Sequence, residues 1–170
     1  MSLTGFPGSH TTSTTTKVTP LVWFDSSYLK TTPGLLKAIA VGVNILGFIC
    51  ASVGKKASAA PITFFSVVSM FAFWITLILL CLYLFHIIEK LHTFPWLLAE
   101  FFYCLLWSVM YLIASIVICV QGGVYAAAGF FGFLAMSLYS MDAFLKYKAH
   151  KNGEIAQGER TTTTNPVTNT

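Results

Sequence analysis

Three ionisable side chains fall where a membrane segment would have to bury them: Lys37, Glu100 and Asp142. A charge at the bilayer centre costs ~2.5–3.5 kcal/mol on insertion scales, so such groups are functional candidates by default. One base with two acids can pair as ions, fix the rotation of a helix, or pass a proton. Lys37 lies on the first turns of the first apolar segment, and Glu100 and Asp142 bracket a stretch, residues 101–141, without a formal charge. All three therefore sit near one membrane boundary, where long side chains reach water and the cost falls. No row of acids continues into the other half of the membrane, which argues against a proton relay. The expectation is a structural cluster in which Lys37 pairs with Asp142 or Glu100.

The other reactive types are weaker candidates. His86, Glu89 and His92 share a helical spacing, and two histidines with an acid can hold a metal, yet interfacial histidines are far commoner; no metal site is assigned. Cys50, Cys81, Cys104 and Cys119 all lie in apolar segments, which fits thiols acting as small hydrophobes. Cys50 and Cys119 share the outer half, at a separation that spacing does not fix. No nucleophile–base–acid set, phosphate loop or nucleotide fingerprint is present, so enzymatic activity and cofactors have no residue-level support.

The elements that must position these residues are membrane helices. Of 170 residues, 56% are hydrophobic and 9% charged, against ~25% charged in an ordinary soluble domain. A bilayer span needs ~20 apolar residues. The charge-free stretch is two spans long and breaks only at Gln121-Gly122-Gly123, the mark of a tight turn. Four apolar segments result, at about 35–53, 62–87, 96–120 and 124–145, in a domain covering 29–148. The Ser/Thr-rich tails, 1–28 and 149–170, are expected to be disordered. The fold class is an all-α integral membrane protein, a bundle of four transmembrane helices. Lysine and arginine concentrate on the side shared by the tails and the second loop, while the opposite side holds only Lys55 and Lys56. Cytosolic N- and C-termini follow. The small net charge of +4 fits anionic headgroups and not nucleic acid.

Read at alternating spacings of three and four, the first helix gives Lys37, Ala40, Asn44, Gly47, Ala51 and Gly54. The fourth gives Tyr125, Ala128, Gly132, Ala135, Tyr139 and Asp142. Small residues along one face let helix backbones approach closely in lipid. The third helix reads Glu100, Tyr103, Trp107, Met110, Ala114 and Val117, a bulkier line able to fill between the other two. Trp74, Trp96 and Trp107 are divided between interfacial anchoring and packing. Asn44, Ser108 and Ser115 are the deep polar residues, and neighbouring helices can satisfy them.

Three segments carry a resemblance: SSYLKTTPGLLKAIAVGVNILGFIC, FPWLLAEFFYCLLWSVMYLIAS and AAAGFFGFLAMSLYSMDAFLKY, the last ending in Tyr139, Asp142 and Phe144 before a basic tail. Across about 27–148 the chain resembles the MARVEL-domain family, in particular its chemokine-like-factor-related and plasmolipin-like branch. It has neither the Trp-Cys-Cys pattern of claudins nor the large cysteine-rich loop of tetraspanins. The resemblance implies a membrane organiser of vesicles and the plasma membrane, acting in trafficking, membrane apposition, junction formation and, in some animals, myoblast fusion. It implies as partners membrane lipids, including ordered and cholesterol-rich domains, other membrane proteins and further copies of the chain, and it brings no catalytic or metal motif. The alternatives are a small transporter or channel subunit and an adaptor of receptor complexes.

Overall fold

The computed structural model describes residues 10–17, 26–54, 59–85, 87–90, 95–154, 156 and 159–166. After a first strand, β1 (His10–Lys17), a 3₁₀ turn (Ser26–Lys30) leads into α1 (Thr32–Ser52). Then come α2 (Ala60–Leu84), the single turn α3 (Ile87–Lys90), α4 (Trp96–Cys119), α5 (Tyr125–Lys151) and β2 (Glu159–Pro166). The four long helices are each long and apolar enough to cross a membrane. His86, His92 and the Glu89 side chain lie outside the described residues, as do Lys55 and Lys56.

Local chemistry explains the boundaries. Thr31 caps α1 by accepting from the Gly34 amide at 3.2 Å, and Pro33 sits in the first turn, where its missing N–H leaves no bond unmade. Pro61 plays the same part in α2. Gly122 and Gly123 both adopt positive φ, 64° and 56°, which makes the α4–α5 turn short. α5 runs six residues past the expected end at 145, because Lys146–Lys151 are competent helix formers and no breaker appears before Gly153 at φ 70°. α2 stops at Leu84 instead of 87, and α3 forms separately.

Outside the helices β1 and β2 pair antiparallel, His10 opposite Pro166 and Lys17 opposite Glu159. The physical reason is composition. Both segments are runs of threonine, whose β-branched side chain favours extended backbone.

The long helices form a ring in the order α1, α2, α4, α5, with α4 and α5 the most extensively packed pair. Across the diagonals, α1 to α4 and α2 to α5, the backbones hardly approach. Both small-residue seams face the interior: Ala40, Asn44, Gly47 and Ala51 are buried on α1, and Ala128, Gly132, Ala135 and Tyr139 on α5. Phe65 of α2 wedges between them, its ring 3.4 Å from where a Cβ on Gly47 would lie. The line expected on α4 shifts by a residue: Glu100 and Ala114 are buried, but Cys104, Tyr111, Ser115 and Ile118 complete the inner face. Tyr103, Trp107 and Met110 flank it, half-buried.

Large apolar side chains point outward instead, among them Phe71, Ile78, Leu106, Ile116, Phe130 and Phe144. Trp74 is 54% exposed and lies in the middle of α2, on the outer face of the bundle.

Glycine packing is directly testable. A Cβ on Gly132 would overlap Ser115 Oγ and come within 2.7 Å of the Phe65 ring, whereas one on Gly42 would meet nothing within 4 Å. Gly132→Val should therefore cost ~1–3 kcal/mol through overpacking, seen as a lowered melting temperature in detergent. Gly42→Ala should leave that temperature unchanged or raise it. Equal effects would show that the α5 seam is not close-packed.

Candidate functional site

The three ionisable residues singled out from sequence meet at the terminus-bearing end of the bundle. Lys37 Nζ is 2.9 Å from Asp142 Oδ2 and 3.2 Å from Glu100 Oε2. Lys37 thus pairs with both acids, joining α1 to its neighbour α5 and, across the diagonal, to α4. A fourth charge completes the set: Lys146 Nζ lies 2.6 Å from the same Glu100 oxygen. All four residues are buried, none more than 4% exposed. Two lysines against two carboxylates leave no net charge inside.

Aromatic groups close the cluster. The Tyr83 hydroxyl of α2 accepts from Lys146 at 3.2 Å, and its ring lies under both ammonium groups, 5.4 Å from Lys37 and 4.9 Å from Lys146. Tyr28, in the 3₁₀ turn, stacks on Tyr83 with ring centroids 4.6 Å apart and planes 3° from parallel. The turn is held against α1: Thr31 donates to the Tyr28 carbonyl at 2.7 Å, and a Cβ on Gly34 would collide with that same oxygen. Burial pushes the Tyr28 hydroxyl above its ordinary pKa, more than Lys37 lowers it, so the cap stays uncharged. Cys104 donates its thiol proton to Asp142 Oδ2 at 3.4 Å.

One to two turns deeper lies an uncharged polar layer. Asn44 donates to the Tyr139 hydroxyl and accepts from that of Tyr111, both at 2.8 Å. Thr76 Oγ1 is 2.6 Å from the Tyr139 oxygen and 2.8 Å from that of Tyr103. Each layer draws a side chain from all four long helices. In each, the long polar groups also bridge the diagonals: Lys37–Glu100 and Asn44–Tyr111 join α1 to α4, while Lys146–Tyr83 and Thr76–Tyr139 join α5 to α2.

Sequence reasoning missed Lys146, Tyr83, Thr76, Tyr103 and Tyr111 as members of these layers. Lys146 counts in the sequence as a headgroup-facing charge, yet it continues the α5 seam four residues after Asp142. On α2, Ser69, Thr76 and Tyr83 recur every seven residues, and all three are buried. That recurrence was the available signal. Cys50, Cys81, Cys104 and Cys119 are free thiols. Ser108 pairs with Ser140 at 2.6 Å on the lipid-facing side of the α4–α5 groove. Among the described residues no group of three His, Cys, Asp or Glu side chains is placed to hold a metal ion.

Comparison with known proteins agrees with this architecture. The family model described as a membrane-associating domain, MARVEL, matches residues 28–145. Mouse CKLF-like MARVEL transmembrane domain-containing protein 7 is 33% identical over 128 residues, covering 73% of this chain and 76% of that protein. No solved structure gives a significant match. The chain belongs to the MARVEL family, on its CKLF-like side, and is a multi-pass membrane protein.

Removing one member of a buried ion set leaves its partner uncompensated, at ~3–5 kcal/mol. Lys37→Gln, Asp142→Asn and Glu100→Gln should each lower the melting temperature and the amount of chain delivered to its membrane. Lys37→Gln combined with Asp142→Asn should recover part of the loss, a coupling of roughly 1–3 kcal/mol in a double-mutant cycle. Strictly additive losses would mean that the two side chains do not act as a pair.

Proposed function

We propose that this MARVEL-family chain is a non-enzymatic organiser of membranes, acting in vesicle trafficking, membrane apposition or fusion. It does so through association with lipid domains and contacts with helices in the same bilayer. The observation that carries this reading is the direction of its side chains. The described buried charges neutralise one another inside the bundle, large apolar groups face outward, and α4 and α5 are joined by a turn of a few residues. A body of that kind has its working surface in contact with lipid and neighbouring helices. The count of Lys and Arg supports both tails lying in the cytosol, where they would recruit partners, and a residence in the plasma membrane or intracellular vesicles fits this arrangement.

The polar layers also explain why transport is the weaker reading. A permeation path needs polar groups lining a continuous route or interrupted helices at the midplane. Asn44, the deepest polar residue of α1, has both its oxygen and its nitrogen engaged by tyrosines.

Proximity labelling from each tail in native cells tests the proposal. Both tail fusions should mark cytosolic vesicle-tethering or fusion proteins, and neither tail should be digested by protease added outside intact cells. Enrichment of surface receptors would support the adaptor reading instead. In reconstituted vesicles no saturable solute flux is expected; flux abolished by Asn44→Ala would overturn the organiser reading.

A further inference from the structure

Between the charged layer and the tyrosine layer is a small cavity of about 10 Å³. Lys37 and Asp142 form its wall towards the termini, Thr76, Tyr103 and Tyr139 form its deeper wall, and Ala40 lines its side. Such a volume is what one water needs, provided that two to four polar partners surround it.

Proton accounting supplies the partners. Asn44 donates to the Tyr139 oxygen, and Thr76 Oγ1 shares one hydrogen bond with Tyr139 and another with Tyr103, in each of which either hydroxyl can donate. These three hydroxyls carry three protons and share two bonds, so one proton is left over. Where it lies on Tyr103, the Ala72 carbonyl accepts it at 3.5 Å, the outer limit for a hydrogen bond. On the opposite wall, Asp142 is 4% exposed, and its Oδ2 serves Lys37 and Cys104 while its Oδ1 is buried without a protein partner. Lys37 has three donors and gives two of them to the acids. A spare hydroxyl proton in one wall and an acceptor without a donor in the other thus border a space the size of one molecule.

We infer that this cavity is a binding site for a single structural water, which accepts from a hydroxyl of the deeper wall and donates to Asp142 Oδ1. The water joins the two layers into one hydrogen-bonded network, from Tyr111 and Asn44 through Tyr139, Thr76 and Tyr103 to Asp142. The alternative, a dry void beside a bare carboxylate oxygen, would leave that oxygen's desolvation uncompensated.

Radiolytic footprinting of the full chain in lipid nanodiscs tests the inference, because hydroxyl radicals born from internal water oxidise the side chains beside it. After correction for intrinsic reactivity, Tyr103 and Tyr139 should be oxidised several-fold faster than Phe65, which is fully buried in the apolar half. Rates equal to that of Phe65 would overturn the site. Ala40→Val, which fills the cavity, gives a second reading of opposite sign for the two cases. With a water present it should remove the labelling and lower the melting temperature. A raised melting temperature, the result of filling a dry void, would overturn the inference, as would labelling that persists in the filled variant.

Discussion

Charge placed in a bilayer must be neutralised where it lies, and the rest of this fold answers to that requirement. Lys37 and Lys146 can be buried only because Glu100 and Asp142 come to meet them, and those acids stand on two other positions of the helical ring. Bringing the four together fixes the rotation of α1, α4 and α5 at once. Tyr83 then fixes α2, since its ring and hydroxyl face both ammonium groups. The net stabilisation from such a set is small, because desolvation offsets most of the attraction. Its larger effect is specificity: a rotated or shifted helix would strand a charge, so competing packings are excluded.

Close packing makes the meeting possible. Gly47 and Gly132 let Phe65 lie between α1 and α5, and Ala51 and Ala128 continue the narrow seam towards the turn end. In lipid there is no hydrophobic drive between helices, so this contact area and the polar bridges have to hold the bundle. The division is by depth. Gly47, Ala51, Ala128 and Gly132 pack the half nearer the α4–α5 turn beside Phe65 and Ser115, while the ions lie in the half nearer the termini.

Much of this was readable from residue types alone. The α1 and α5 seams stand out because alanine, glycine and polar residues alternate with large apolar ones on a helix of period 3.6. Lys37 and Asp142 fall on those seams, and that is why their pairing could be expected. The same contrast fails on α2, which is apolar all round, so the inward positions of Thr76 and Tyr83 are marked only by a seven-residue recurrence. Lys146 was obscured for a different reason. A lysine just past the last apolar residue ordinarily reaches for headgroups, and only the contact with Glu100 turns it inward. The pairing of β1 with β2 joins two segments far apart in the chain, a relation that spacing does not display.

The bridges across the diagonals have a mechanical meaning. A ring of four helices held only by neighbour contacts can shear, each helix tilting to suit the membrane around it. Lys37–Glu100, Tyr83–Lys146, Asn44–Tyr111 and Thr76–Tyr139 brace the ring as crossed struts brace a frame. A braced bundle keeps its own height, set on its shortest side by the 21 residues of α1, or ~31 Å at 1.5 Å per residue. Where bilayer thickness differs from that height, the lipids must stretch or compress around the protein.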